Sequence, residues 1–186
     1  MSTATGIVLV VAIVVIAGAA LWYLQRRRTE RLHGHFGPEY DRAINEFGDR
    51  RRAETELEKR QKRVERYPIR DLSREERERF ADRWRSDQAR FVDEPQESLR
   101  EAHRLVNEVM QARGYPVSAE FERNAADLSV DHPRVVQHYI VACDIALRQD
   151  KGQVNTEDLR KAMTHYRALF EELLGARVGQ AEEVRR

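Results

Sequence analysis

From Gly6 to Leu24 the chain runs for 19 positions without a charged side chain, filled mainly by Val, Ile, Leu and Ala, and Gln25-Arg26-Arg27-Arg28 follows at once. As a helix with a rise of about 1.5 Å per residue, such a run is roughly 28 Å long, close to the ~30 Å hydrocarbon core of a bilayer. No ionisable residue interrupts it, so it predicts an anchor and not a pore or proton path. Trp22 and Tyr23 stand at its end, where amphipathic rings favour the headgroup level. A cleaved secretory signal would need a basic leader and an apolar stretch of only ~7–15 residues. Met1 to Thr5 carry no side-chain charge, although Ala17-Gly18-Ala19-Ala20 imitates a cleavage site. Arg26, Arg27, Arg28 and Arg31 follow the run and no basic residue precedes it, so the positive-inside rule places the N-terminus outside and the C-terminal part in the cytoplasm. The expected location is the inner (cell) membrane of a bacterium, crossed once, with residues 6–24 in the lipid bilayer.

Beyond the run the spacing is helical throughout, and no segment alternates as a strand would. Gly34, Gly37 and Pro38 interrupt the anchor's continuation. A helix is expected from Glu39 to about Arg66, with Gly48 as a kink site and Ile44, Phe47, Leu57 and Val64 as its sparse apolar positions. Opposite charges four apart, Glu56 with Arg60 and Glu58 with Lys62, support it by a few tenths of a kcal/mol each. So thin a stripe predicts an exposed arm or a weak coiled-coil seam, ended by Tyr67-Pro68.

Ser73-Arg74-Glu75-Glu76 has the form of a capping box, opening a helix with Phe80, Trp84, Phe91 and Val92 on one side. Asp93 is expected to cap the next, with Pro95 in its first turn, Leu99, Ala102, Val106, Val109 and Met110 inside, and Gly114 as its stop. A short helix after Ser118 shows Phe121, Ala125 and Leu128. Asp131, ahead of Pro133, is expected to cap a helix with Val135, Val136, Tyr139, Ile140, Cys143 and Leu147 inward, closed by Gly152. Asn155 or Thr156 opens the last helix, whose Leu159, Ala162, Met163, Tyr166, Leu169, Phe170, Leu173 and Leu174 form the cleanest stripe in the chain. The predicted fold is all-α: an anchor at 1–28, a charged membrane-proximal arm at 29–67, a bundle of four or five helices at 68–175, and a flexible tail at 176–186.

Charge changes this picture little. The 33 basic and 32 acidic residues all follow the apolar run, and Arg outnumbers Lys by 29 to 4, which reflects a GC-rich genome before it reflects nucleic-acid chemistry. Residues 26–66 hold 13 basic and 9 acidic side chains, whereas 91–186 hold 13 and 17. The basic part therefore lies beside the bilayer, where anionic lipid favours it by about 1 kcal/mol per nearby cation. Nucleic acid is not the expected partner: Arg50 to Arg52 are interleaved with Asp49, Glu54, Glu56 and Glu58, and the pI of 7.9 is below the ~9 usual for such domains. The single cysteine excludes an intramolecular disulfide.

Candidate chemistry is concentrated in Asp127-Leu128-Ser129-Val130-Asp131-His132-Pro133. Asp127, Asp131 and His132 offer a carboxylate–imidazole pair or part of a metal site with His138. A helix start accounts for the same residues, since Asp131 ahead of Pro133 is a capping pattern. His132 and His138 are six apart, about 240° around a helix, and do not share a face. His165-Tyr166 is expected to face His138-Tyr139 as the edge of a core, and Cys143 to be a buried, inert thiol. No zinc motif, phosphate loop or dinucleotide turn is present, so the reading is not an enzyme, with no cofactor or metal.

The segments Phe36-Gly37-Pro38-Glu39-Tyr40-Asp41-Arg42, Gly48-Asp49-Arg50-Arg51, Ile69-Arg70-Asp71-Leu72-Ser73, Phe91-Val92-Asp93, Met110-Gln111-Ala112-Arg113-Gly114-Tyr115-Pro116, Asp127 to Pro133, and Thr156-Glu157-Asp158-Leu159-Arg160 resemble a family of bacterial single-pass proteins usually called hypothetical, secreted or transmembrane. The resemblance extends over about residues 33–174. It implies a bacterial membrane protein and no known activity, and it transfers no catalytic residue. The leading expectation is a membrane-anchored cytoplasmic helical scaffold that docks a protein partner. The alternatives are a small-molecule or metal-binding sensor or enzyme using the Asp127–His132 loop, or anionic-lipid or nucleic-acid binding through the basic arm.

Overall fold

The computed structural model describes the backbone of residues 3–175 and the side chains of residues 12–175, and these residues form eight helices and no strand. The expected tail at 176–186 lies outside the described residues. The chain divides into two compact units, Met1–Leu57 and Glu58–Arg186.

In the first unit α1 (Thr3–Phe36) continues through Gly34 and stops at Gly37, whose positive φ is followed by Pro38 at the start of α2 (Pro38–Phe47). Gly48 is left-handed and closes α2 through its N–H to the Ile44 carbonyl, so the expected single helix from Glu39 is broken. Its continuation is α3 (Arg50–Val64), within which the boundary between the units falls. The arm is not merely an exposed stalk. Leu32, Phe36, Tyr40, Ala43, Ala53 and Leu57 are all buried, because small alanines beside a few large side chains let helices approach without a long apolar stripe. Glu54 is buried too, and its Oε1 accepts from Thr29 Oγ1 at 2.6 Å and Tyr40 Oη at 2.9 Å. A carboxylate there is tolerated because its lone pairs are filled.

Among the described residues no helix is long and apolar enough to cross a membrane. Gly6 to Val11, the first part of the expected span, lie outside the residues whose side chains are described. The remainder, Ala12 to Leu24, is about 20 Å of helix, short of a bilayer core by itself.

The second unit is a bundle of α4 (Arg74–Arg90), α5 (Pro95–Ala112), α6 (Phe121–Asp131), α7 (Val136–Asp150) and α8 (Thr156–Leu173). Helices α5, α7 and α8 pack on one another at its centre, α4 lies on α5, and α6 lies on α7. The capping box at Ser73 is present, with the Glu76 N–H donating to Ser73 Oγ at 3.2 Å and Glu76 Oε2 accepting from the Ser73 N–H at 2.8 Å. Asn155 and Asp158 form a second one at the start of α8. All eight expected inward positions of α8 are buried. Trp84 and Phe170 stack at 4.7 Å between ring centroids.

Three local expectations are corrected. Asp93 does not cap α5: Glu94 holds that position without a side-chain bond, and Pro95, which has no N–H to satisfy, opens the helix. Val92 is 85 % exposed and Leu147 47 % exposed, while Ile145 is buried in its place. Asp131 does not cap α7; it is the last residue of α6, and α7 begins at Val136 behind a Val135 cap position without a side-chain bond. The cause is Pro133. A proline disfavours the helical region for the residue before it, and His132 accordingly leaves it, ending α6.

Candidate functional site

Arg26 and Arg27 follow Trp22 and Tyr23 by four on α1, so each guanidinium lies over the ring one turn back, at 5.5 and 5.4 Å from the centroids. Arg26 also pairs with Glu30 at 2.9 Å. Arg28 turns to the side, donating to Thr55 Oγ1 at 3.4 Å and standing 3.9 Å from Glu54. Arg31 is exposed on the same helix. Trp22, Arg26, Arg28, Arg50 and Arg51 line a cavity of about 960 Å³ with Glu54 in its wall. The expected topology residues are thus partly engaged in building the first unit.

The Asp127–His132 segment is not a loop, and its three candidates are not brought to one point. Helix α6 runs through Asp127 and Asp131, four positions apart, and each finds a different tyrosine. Asp127 is 1 % exposed; its Oδ1 accepts from Arg63 Nε at 2.7 Å and Nη2 at 2.5 Å, and its Oδ2 accepts from Tyr67 Oη at 2.9 Å. Asp131 Oδ2 accepts from Tyr115 Oη at 2.5 Å. Burial, then this carboxylate, pushes the Tyr115 phenol above the ordinary tyrosine range. His132 turns toward Glu172, with Nδ1 at 3.4 Å, and burial lowers its pKa. These are ties between elements: α6 to the end of α3, to the segment after α5, and to the end of α8.

The Tyr115–Asp131 bond replaces the expected cap as the role of Asp131. Asp131→Ala and Tyr115→Phe are each expected to cost about 1.5–3 kcal/mol, the range for a hydrogen bond to a charged group. Asp131→Asn, which keeps an acceptor, should lose less. In a double-mutant cycle by urea unfolding, the double variant should lose clearly less than the sum. Strict additivity would mean that the bond contributes nothing.

His138 and His165 do meet, with Nδ1 atoms 2.7 Å apart, and burial together with the neighbouring imidazole lowers the His165 pKa. Among the described residues no group of three or more His, Cys, Asp or Glu side chains is arranged to hold a metal.

A site unmarked by any motif lies between α5, α6 and α7: a groove of about 600 Å³ whose floor includes His103, Asn107, Asn124, Tyr139 and Cys143. His103 Nδ1 is 2.8 Å from Tyr166 Oη, its Nε2 is 3.1 Å from Asn107 Nδ2, and Cys143 Sγ is 4.0 Å from Nδ1. A Cys–His pair raises the question of a nucleophile, which needs a thiol pKa pulled down beside an imidazolium. Burial does the opposite to both: it lifts the Cys143 thiol to about 11 and lowers His103. Tyr166 Oη, 2.8 Å from His103 Nδ1 and 3.8 Å from Cys143 Sγ, ties the two groups together on the groove floor. The only trace in sequence is the i, i+4 spacing of His103 and Asn107. The groove's other walls come from helices far along the chain.

Comparison with family models, curated proteins and solved structures gives no match.

Proposed function

We propose that this chain is a single-pass membrane protein of the bacterial inner membrane, with residues 6–24 in the bilayer, the N-terminus outside, and the helical bundle in the cytoplasm as a binding module for a protein partner. The observation that carries the reading is α1 between Ile13 and Leu24, where the large apolar side chains are 53–67 % exposed. In water such a surface, on all sides of a helix, is strongly unfavourable; in hydrocarbon it is the required one. The Trp22–Arg26 and Tyr23–Arg27 contacts suit a helix leaving the headgroup region, and Arg26, Arg27, Arg28 and Arg31 then face the anionic cytoplasmic leaflet. The basic balance of 26–66 against the acidic balance of 91–186 favours the bundle standing clear of that leaflet. The protonated Cys143 and the dispersed Asp127, Asp131 and His132 support a binding role over an enzymatic one.

Membrane topology tests this directly. A fusion after Arg186 is expected to be active only with a cytoplasmic reporter, and the protein should remain in alkali-washed membranes with Met1 or Ser2 at its N-terminus. A periplasm-active fusion, or a mature chain beginning near Leu21, would overturn both the anchor and the cytoplasmic assignment.

A further inference from the structure

Two side-chain amides that line the groove between α5, α6 and α7, Asn107 and Gln149, each keep a buried oxygen without a donor among the described residues, and the one at Gln149 is next in sequence to a carboxylate. Gln149 is 6 % exposed, and its Nε2 donates to the Gln96 backbone carbonyl at 2.8 Å. A carbonyl can only accept, so this bond fixes which end of the amide is nitrogen. The Oε1 atom is therefore a true acceptor, and it is buried without a donor among the described residues. A buried acceptor left unpaired is costly and calls for an N–H or O–H from outside the fold. Beside it stands Asp150, exposed at the last position of α7 and lining the same groove. No described cation pairs with it, and the negative end of the helix dipole reinforces its charge.

The arginines that line the groove are already committed, and Lys151, which follows Asp150, is exposed and outside the lining. Arg100 and Arg104 pair with Glu97 at 2.8 and 3.2 Å, and Arg104 with Glu101 at 2.8 Å. The uncompensated features at this end are thus an orphan acceptor and a carboxylate. From there the groove continues over Ala146, Leu147 and Cys143 to Tyr139 and Phe121, a wall that is mostly apolar, with Leu147 47 % exposed. An acceptor end joined to an apolar wall is complementary to a cation carrying N–H donors on an apolar body.

We infer that this groove is a binding site for a small organic ammonium ion, with its N–H groups on Gln149 Oε1 and Asp150 and its apolar body along Leu147 and Tyr139. The inference concerns the distal bundle alone and stands whether or not α1 enters a bilayer. It gives a role to a glutamine held among the buried residues of α7 and to a leucine left open on its outer face.

Calorimetric titration of the full chain in non-ionic detergent tests it, with phenethylammonium as the probe. Neutral 2-phenylethanol and anionic 3-phenylpropionate, of nearly the same shape, are the controls. The ammonium is expected to bind at least about tenfold more tightly than either control. Asp150→Asn, at an exposed position, should weaken it roughly three- to fivefold and leave the alcohol unchanged. Gln149→Met should weaken it roughly tenfold, with helical circular dichroism confirming that the variant folds. Absence of ammonium binding at millimolar concentration, equal binding of the three probes, or binding indifferent to Asp150→Asn would each overturn the assignment.

Discussion

Phe170→Ala is expected to destabilise the bundle by about 3–5 kcal/mol, and Trp84→Ala by a similar amount, because each empties a large volume from a close-packed interior. The two rings, Trp84 and Phe170, are 5 % and 2 % exposed and stack on each other, so truncating one also removes an aromatic partner from the other. The cycle should therefore show a coupling of about 0.5–1.5 kcal/mol. Val92→Ala is the matching control. The spacing places Val92 on the same face as Trp84, yet it is 85 % exposed and should change stability by no more than about 0.5 kcal/mol. Urea unfolding of the full chain in mild detergent, followed by helical circular dichroism, measures all four variants. If Phe170→Ala and Trp84→Ala both cost below about 1 kcal/mol, the interior of the bundle is not where these rings lie.

Legibility of this fold in the sequence follows from how local each determinant is. The inward face of helix α8 was readable, because its eight apolar positions keep one side, and the start left open between Asn155 and Thr156 is fixed by the Asn155–Asp158 capping box. Ser73 with Glu76 was readable as a helix start. The first unit was harder to read. Its interior uses Ala43 and Ala53 beside Leu57 and Tyr40, and an alanine in a charged helix carries little apolar signal of its own. Asp131 misled for a different reason: Asp-His-Pro is compatible with the start of a helix and with the end of one, and the local pattern alone does not separate them. Here Pro133 ends α6, and a tyrosine sixteen positions upstream gives Asp131 its role.

The groove was the least legible part. Gln149 sits four positions after Ile145, where the buried face of α7 demands an inward side chain, and its partner is the backbone of a residue 53 positions away. No spacing rule links the two. His103 likewise meets Tyr166 from 63 positions away. Chemistry assembled from three helices leaves no motif, whereas the compact polar run at 127–133, which looks like a site, is divided among three structural ties.

The same distinction between local and distant causes makes Gly114 the most sensitive glycine in the bundle. Sequence marks it as a helix stop, and its positive φ of 95° bears this out. The structure adds a second demand. The chain at Pro68-Ile69 passes directly over it, tied by the Arg70 N–H to the Arg113 carbonyl at 2.9 Å, and a Cβ on Gly114 would lie 2.3 Å from the Pro68 carbonyl oxygen. Backbone so placed cannot swing aside as a flexible side chain would. Gly114→Ala therefore incurs the left-handed strain of a residue with a Cβ, about 1–2 kcal/mol, and an overpacking cost of about 1–3 kcal/mol, for an expected loss of roughly 2–5 kcal/mol. Gly152 separates the two terms. Its φ of 68° is also left-handed, but nothing lies within 4 Å of an added Cβ, so Gly152→Ala should incur the strain alone, about 1–2 kcal/mol. Urea midpoints of the two variants, measured side by side, should place Gly114→Ala well below Gly152→Ala. Equal midpoints would show that the 68–70 segment does not hold this close passage in solution.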